Sequence, residues 1–252
     1  MKNIKLVIEY DGHNYAGWQR QENAVTIQQV LEDALEKLTG KKTPVIGSGR
    51  TDSGVHARGQ TANFFTDASV PPERYSYALN AILPRDIRIK HSEEVPADFH
   101  ARYSAIGKTY RYSMVLSPHG VAIGRHYYCH IPFPLDVKAM KEAAEEFRGT
   151  HDFAAFMASG SSVKTTVRTV FDARLEEEGD FLHFWVTADG FLYNMVRIMA
   201  GTLIDAGRGK ISSYCIKDII ISKDRSLAGF TAPAHGLCLE RVYYKNLPEN
   251  MV

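Results

Sequence analysis

GSGRTDSGVHARGQ, running from Gly47 to Gln60, decides how the rest of the chain is read. It holds four glycines, two arginines, a histidine and a single acid, Asp52, in fourteen residues. That is too glycine-rich and too polar for the interior of a strand or a helix. Apolar, strand-forming residues flank it, Pro44-Val45-Ile46 before and Ala62-Asn63-Phe64-Phe65 after. A polar loop gripped between two strands presents a reactive group on a rigid support. The other features of the chain then read as scaffold, charge environment and substrate groove for Asp52.

Upstream of the loop, Lys2 to Tyr10 alternates, with Ile4, Leu6 and Ile8 on one face and a turn at Asp11-Gly12. A polar-aromatic loop, HNYAGWQRQ, follows. Thr26 with Gln29 three residues on makes a capping box. Ile27, Val30, Leu31, Ala34, Leu35 and Leu38 then have the spacing of an amphipathic helix closed by Gly40. A strand to about Ile46 leads into the Asp52 loop, and another strand leaves it near Thr61 to Thr66. Pro71-Pro72 opens a helix to about Ile82, and Ile87 to His91 is a strand. The first half reads β-α-β-β-α-β.

The second half repeats that order. Lys108 to Leu116 alternates as a strand, and Asp136 caps a helix carrying Val137, Met140, Ala144 and Phe147 and ending by Gly149. Val167 to Glu176 and Phe181 to Thr187 form a hairpin across Glu178-Gly179-Asp180. Leu192, Met195, Val196, Met199, Ala200, Leu203 and Ile204 mark a one-sided helix, Tyr214 to Ile221 an extra short one, and Leu237 to Tyr244 the last strand. Loops are expected at Ser117 to His126, Ala158 to Lys164 and Ser222 to Gly236, with a frayed tail from Leu247. The expected fold is α+β, with two ferredoxin-like halves (1–104 and 105–252), mainly antiparallel sheets and the active-site cleft between them. This rests on element order alone, because no residue-level repeat is visible.

At 252 residues the chain can bury roughly three quarters of its unfolded surface. Its 44% hydrophobic and 23% charged residues are ordinary globular values and exclude wholesale disorder. No apolar run approaches the ~20 residues of a membrane span, and the start MKNIKLVIEYDG has no signal-peptide pattern. The cysteines, Cys129, Cys215 and Cys238, are odd in number and far apart, which fits a reducing compartment. A cytoplasmic protein is expected. The formal net charge is only +1, but its distribution is uneven. Ala101 to His130 carries Arg102, Lys108, Arg111, Arg125 and three histidines without one acid, whereas acids gather at Glu142 to Glu146 and Glu176 to Asp180. Either these are solvated faces of both signs, or a basic groove for a phosphate backbone lies opposite an acidic face.

Asp52, beside Arg50, Arg58 and His56, should be ionised, since a free aspartate titrates near ~3.9. A lone carboxylate can ligate metal, act as a base or attack as a nucleophile. Metal is disfavoured, because no second acid or cysteine lies near and flanking arginines repel a cation. The plainer alternative is a structural one, with Asp52 bridging loop amides in an Asx turn.

GRTDSGVHA resembles the signature of the tRNA pseudouridine synthase A family. The resemblance covers most of the chain, through YDGHNYAGWQRQ near the start, FHARYSAIGKTYRY at Phe99 to Tyr112, DGFLYNMVRIMAG at Asp189 to Gly201 and APAHGLCLERVYY at Ala232 to Tyr244. Ser53 departs from the pattern, standing where alanine would follow the aspartate. The resemblance implies isomerisation of uridine to pseudouridine at positions 38, 39 and 40, in the anticodon arm of tRNA, without cofactor or metal. The C1′–N1 bond must break and a C1′–C5 bond must form. A carboxylate serves by attacking the uracil ring, attacking the sugar, or removing a proton to make a glycal. The target base must first be flipped from its stack, at a cost of a few kcal/mol.

By the same resemblance Asp52 is the catalytic carboxylate. Tyr110 is the active-site tyrosine, stacking on the extruded uracil and helping to remove the C5 proton. Arg197 is the arginine that pairs with the aspartate. Read from residues alone, Tyr110 is core packing and Arg197 a rim residue on its helix. Strand alternation sets Tyr110 on the face opposite Arg111. Arg50 is the candidate for guiding the flipped base or holding its place, and Arg58, Lys108, Arg111 and Arg168 are candidate phosphate contacts. The family also implies a homodimer.

Weaker motifs are set aside. Ser161-Ser162-Val163-Lys164 fits S-x-x-K but lies in a Gly/Ser turn. His126, Cys129 and His130 have helical metal spacing in a strand-like run. Gly47 and Gly49 lack the remainder of a dinucleotide fingerprint. Two other functions stay open on the residues alone. A non-catalytic RNA-binding protein could be built from ferredoxin-like halves, although its sheet aromatics do not follow an RNP pattern. A nucleoside or glycoside hydrolase would normally pair two carboxylates, and no second acid accompanies Asp52.

Overall fold

The alternating residues of β1 (Lys2–Tyr10) bury Ile4, Leu6, Ile8 and Tyr10 on one face, as a period of two requires. The structure is a computed structural model that describes residues 1–160 and 163–247. The chain divides into two units, Met1–Ile106 with Cys238–Lys245, and Gly107–Leu237 resuming at Asn246.

In the first unit, α1 (Ile27–Thr39) begins where expected. Thr26 accepts the Gln29 N–H at 3.4 Å, and Gly40 ends the helix at φ 72°, donating to the Glu36 carbonyl. Ile27, Leu31, Ala34 and Leu35 form its buried stripe. The strand expected before the Asp52 loop is only β2 (Ile46–Gly47). β3 (His56–Thr66) leaves the loop, with β1 antiparallel on one edge and β2 on the other. A single 3-10 turn, Pro72–Arg74, leads into the short α2 (Tyr75–Asn80). β4 (Ile87–Val95) pairs antiparallel with the free edge of β1.

In the second unit, β5 (Gly107–Leu116) carries β6 (Cys129–Ile131) in parallel along one edge. α3 (Val137–Glu145) is capped by Asp136, which accepts the Ala139 N–H at 2.9 Å. It stops before Phe147, which packs edge-on against Phe156 at 5.1 Å, and β7 (Gly149–Asp152) follows. β8 (Val167–Glu178) and β9 (Phe181–Ala188) form the expected hairpin, with Gly179 at φ 59°. The strand order is β5-β9-β8-β7. α4 (Met195–Gly207) and α5 (Ile216–Ser222) complete the unit. Ser161 and Ser162 of the S-x-x-K match, and most of the tail from Leu247, lie outside the described residues.

α4 differs from its sequence reading in two ways. It starts at Met195, because Asn194 takes a left-handed conformation (φ 59°) that excludes Leu192 from the helix. It is also buried on nearly every side rather than one. The segment from Ala228 to Ala232 crosses it, and Gly229 donates to Thr202 Oγ1 at 2.9 Å. The last strand also departs from expectation. β10 (Leu237–Tyr243) joins the first unit, lying parallel to β3 with Cys238 opposite His56 and Leu239 opposite Ala57. Gly59 permits the approach, since a Cβ there would sit 2.4 Å from the Glu240 carbonyl oxygen. Overall the class is α+β with mainly antiparallel strands.

A Cβ on Gly201 would lie 1.8 Å from the Phe230 carbonyl oxygen. That carbonyl cannot retreat easily, because Arg225 binds the Ala228 and Gly229 carbonyls and Arg197 binds that of Ala232. Gly201→Ala should therefore destabilise the fold by roughly 1–3 kcal/mol, read as a lower thermal midpoint. An unchanged midpoint would show that the crossing segment is looser than described.

Candidate active site

The Asp52 loop is held by the segment just after β1. Trp18 N–H donates to the Thr51 carbonyl at 3.0 Å, and Gly54 N–H to the Tyr15 carbonyl at 3.3 Å. Ser53 Oγ donates to the same Tyr15 carbonyl at 3.2 Å. Inside the loop, Val55 N–H closes a turn on the Asp52 carbonyl at 3.1 Å. This approach demands glycine at two places. A Cβ on Gly17 (φ +86°) would sit 2.5 Å from the Thr51 oxygen, and one on Gly12 would sit 2.0 Å from the Val55 oxygen. The holding segment is anchored in turn, with the Tyr15 hydroxyl donating to Asp86 Oδ1 at 2.8 Å. Burial, reinforced by that carboxylate, pushes the Tyr15 phenol well above its ordinary range. The loop backbone is thus fixed on both sides of Asp52, whose side chain is half-buried while that of Thr51 points inward.

Buried His56 sits at the start of β3, its Nδ1 3.0 Å from both the Gly12 amide nitrogen and Asp11 Oδ1. One nitrogen cannot accept and donate at once. The amide is a fixed donor, so Nδ1 is the acceptor in the neutral ring. Arg50 is exposed at the other end of the loop, its Nε donating to Gln19 Oε1 at 3.1 Å. Arg58 is exposed on β3.

The remaining sequence-derived candidates belong to the second unit. Tyr110 lies on β5, 8% exposed, opposite Val186 of β9, with Phe191 edge-on at 5.0 Å. Arg197 lies in the first turn of α4, which packs on β5. Its Nε donates to the Ala232 carbonyl at 2.7 Å and its Nη1 to Asn194 Oδ1 at 2.7 Å, and Ala232 N–H returns a bond to the Arg197 carbonyl at 3.1 Å. These bonds fix the plane of the guanidinium. A long flexible side chain is thereby presented in one orientation.

Arg111 faces away from Tyr110, with its guanidinium 5.4 Å from the centre of the Trp185 ring, and Arg174 approaches the same ring at 5.6 Å. Lys108 shares the parity of Tyr110 and is half-buried. Arg168 curls back onto its own strand, donating to the Thr165 and Val167 carbonyls at 3.0 and 2.6 Å. The second unit therefore gathers Tyr110, Lys108 and Arg197 on neighbouring elements and sends Arg111 to the opposite sheet face. His130 Nε2 lies 2.7 Å from the Ser117 carbonyl oxygen. Among the described residues no group of three or more metal-ligating side chains is assembled.

The structure adds residues that sequence reading passed over. Tyr10, Ser48, Thr51 and Gln60 form a buried polar cluster under the loop, and Phe191 lies against Tyr110. Tyr10 continues the alternation of Ile4, Leu6 and Ile8 and so reads as core. Its hydroxyl was the only signal of something more.

Comparison with known proteins bears on what such a loop does. A family model described as tRNA pseudouridine synthase matches residues 6–104 and 143–245. A curated protein of Acetivibrio thermocellus named tRNA pseudouridine synthase A is 55% identical over 244 residues, covering 97% of this chain and all of that protein. Proteins of the same name from Ruminiclostridium cellulolyticum and Clostridium kluyveri are 52% and 51% identical, again over 97% of this chain and their whole length. Among solved structures, a crystal structure of a Cbf5-Nop10-Gar1 complex matches with a TM-score of 0.39 at 13% identity. It covers 94% of this chain and 48% of that one, and is too distant to decide anything.

Gly17→Ala should shift the Thr51–Asp52 backbone and cost roughly 1–3 kcal/mol. Amide NMR signals of Trp18, Thr51 and Asp52 should move far more than those of β4. Signals that stayed in place would show that the loop does not depend on this close approach.

Proposed function

Because this chain belongs to the tRNA pseudouridine synthase family, and so isomerises uridine to pseudouridine in tRNA, we propose that Asp52 supplies the reacting carboxylate. The observation that carries this reading is the double clamp on the loop, which fixes the backbone at Thr51 and at Gly54 and leaves the Asp52 side chain half-buried between them. A carboxylate so held can reach a sugar or a base in one orientation, which is where most of the gain from positioning arises. Glycosidic cleavage frees uracil as a bound fragment. The new bond then forms from C1′ to C5, the C5 proton leaves last, and N1 takes up a proton, so that the product is an isomer of the starting uridine.

The roles proposed for Tyr110 and Arg197 follow from their surroundings. Tyr110 presents a ring already braced by Phe191, suited to stacking on an extruded uracil, and its hydroxyl suits proton removal from C5. Arg197, locked by Asn194 and Ala232, supplies the positive charge that keeps the catalytic carboxylate ionised. Arg50, Arg58, Lys108, Arg111 and Arg168 are proposed to bear on the RNA, Arg50 at the flipped base and the others at phosphates. Since Arg111 lies on the sheet face opposite Tyr110, its phosphate would be remote from the reacting nucleotide.

The proposed targets are uridines 38, 39 and 40 in the anticodon arm, acted on in the cytoplasm by a homodimer, as the family resemblance implies. No helix among the described residues is long and apolar enough to cross a membrane.

Asp52→Asn, nearly isosteric, should lower pseudouridine formation on a tRNA transcript by on the order of a thousandfold or more, with tRNA affinity and thermal midpoint little changed. Retained turnover would defeat the assignment and favour a non-catalytic RNA-binding role for the loop. Arg197→Lys should lower kcat about tenfold or more while KM for tRNA stays within about twofold. Equal losses in both would instead mark Arg197 as a phosphate contact.

A further inference from the structure

The clamp described above holds the Asp52 backbone from the outside. Beneath the loop lies a second set of contacts, made by side chains almost wholly removed from water. The Tyr10 hydroxyl, at the end of β1, is 2.8 Å from Thr51 Oγ1. Gln60, on β3 and fully buried, uses every part of its amide. Its Oε1 accepts from Ser48 Oγ at 2.6 Å and from Thr61 N–H at 3.1 Å, and its Nε2 donates to the Gly49 carbonyl at 3.0 Å. The Gln60 amide also bears on the Tyr10 phenol, easing the rise in its pKa that burial causes, which joins the two halves of the set. Tyr10 is 2% exposed and Thr51 7%. β1, β3 and loop residues 48–51 are thus linked by one polar network in a site where water cannot substitute for a missing partner.

An arrangement of this kind needs explaining, because an apolar contact would serve packing as well at lower desolvation cost. Every member touches either Thr51, the residue before Asp52, or residues 48 and 49, which lead into it. None is placed to meet a substrate. Thr51 turns inward to the network while Asp52, next in the chain, is half-exposed, so fixing one side chain fixes the peptide that aims the other.

We infer that Tyr10, Thr51 and Gln60 are positioning residues for the reaction, a buried hydrogen-bonded network that sets the orientation of the Asp52 carboxylate. The inference rests on the reading of Asp52 as the reacting group and deepens it. Tyr10→Phe removes one oxygen and keeps the ring. Thr51→Val keeps the shape and removes the hydroxyl, whereas Thr51→Ser keeps the hydroxyl and loses a methyl.

The test is single-turnover release of tritium from a tRNA transcript labelled at uridine C5, with tRNA affinity and thermal midpoint measured on the same full-length proteins. Tyr10→Phe and Thr51→Val should each slow the chemical step roughly 10- to 100-fold with tRNA affinity held within about twofold. Thr51→Ser should recover most of what Thr51→Val loses. The double variant Tyr10→Phe/Thr51→Val should be little slower than either single one, because both delete the same bond. Wild-type rates in Tyr10→Phe would overturn the inference, as would losses that track the fall in thermal midpoint, or rate losses that multiply in the double variant. Asp52→Asn run in parallel separates the two levels. If it turns over, the reading of Asp52 fails; if it is dead while Tyr10→Phe reacts normally, only the positioning role fails.

Discussion

The constraint on which the site depends is the approach of one backbone to another without an intervening side chain. The segment from Gly12 to Trp18 lies so close to Thr51–Val55 that a methyl group at Gly12 or Gly17 would overlap a carbonyl oxygen. Backbone hydrogen bonds from Trp18 and Gly54 occupy the space that glycine opens. A loop of this composition would ordinarily be mobile. Here the entropy lost in ordering it is offset by bonds formed on both sides of the acid, and by the buried network of Tyr10, Thr51 and Gln60 below.

A comparable device appears in the second unit. α4 is enclosed, and the segment from Ala228 to Ala232 is strapped to it by Arg225, Thr202 and Arg197. Arg197 contributes to the strap and, as proposed, to the site, since the bond that holds Ala232 also orients its guanidinium. Small residues again make this possible, with Gly201 and Gly229 at the crossing. In each unit a chemically useful side chain is borne on backbone that is held by close packing and has no room to rearrange.

Local signals in the sequence were the most legible. Thr26 and Gly40 bound α1, Asp136 caps α3, alternation gives β1 and β5, and the turn at Glu178-Gly179-Asp180 gives the β8–β9 hairpin. Asp52 stood out as the lone acid among glycines and arginines, but on the residues alone a structural Asx turn was the plainer reading, and the matching motifs along the chain favoured a catalytic one. The rest depended on distant partners. α4 reads as one-sided because the segment covering its other faces lies about thirty residues downstream, beyond any helical window. β10 reads as the end of the second half because nothing local announces that Gly59 has left room for it beside β3. Tyr10 and Gln60 look like core and strand residues until the hydroxyl and amide are seen to meet Thr51 and Ser48.

The central physical claim is that the acid-bearing loop is as well ordered as the strands that flank it. Native-state hydrogen exchange tests this most directly, followed at the amides of Trp18, Gly54 and Val55, which donate to the carbonyls of Thr51, Tyr15 and Asp52 respectively. Exchange as slow as at the paired amides of β1 and β3 should be seen. Exchange as fast as at an open surface loop would contradict the claim.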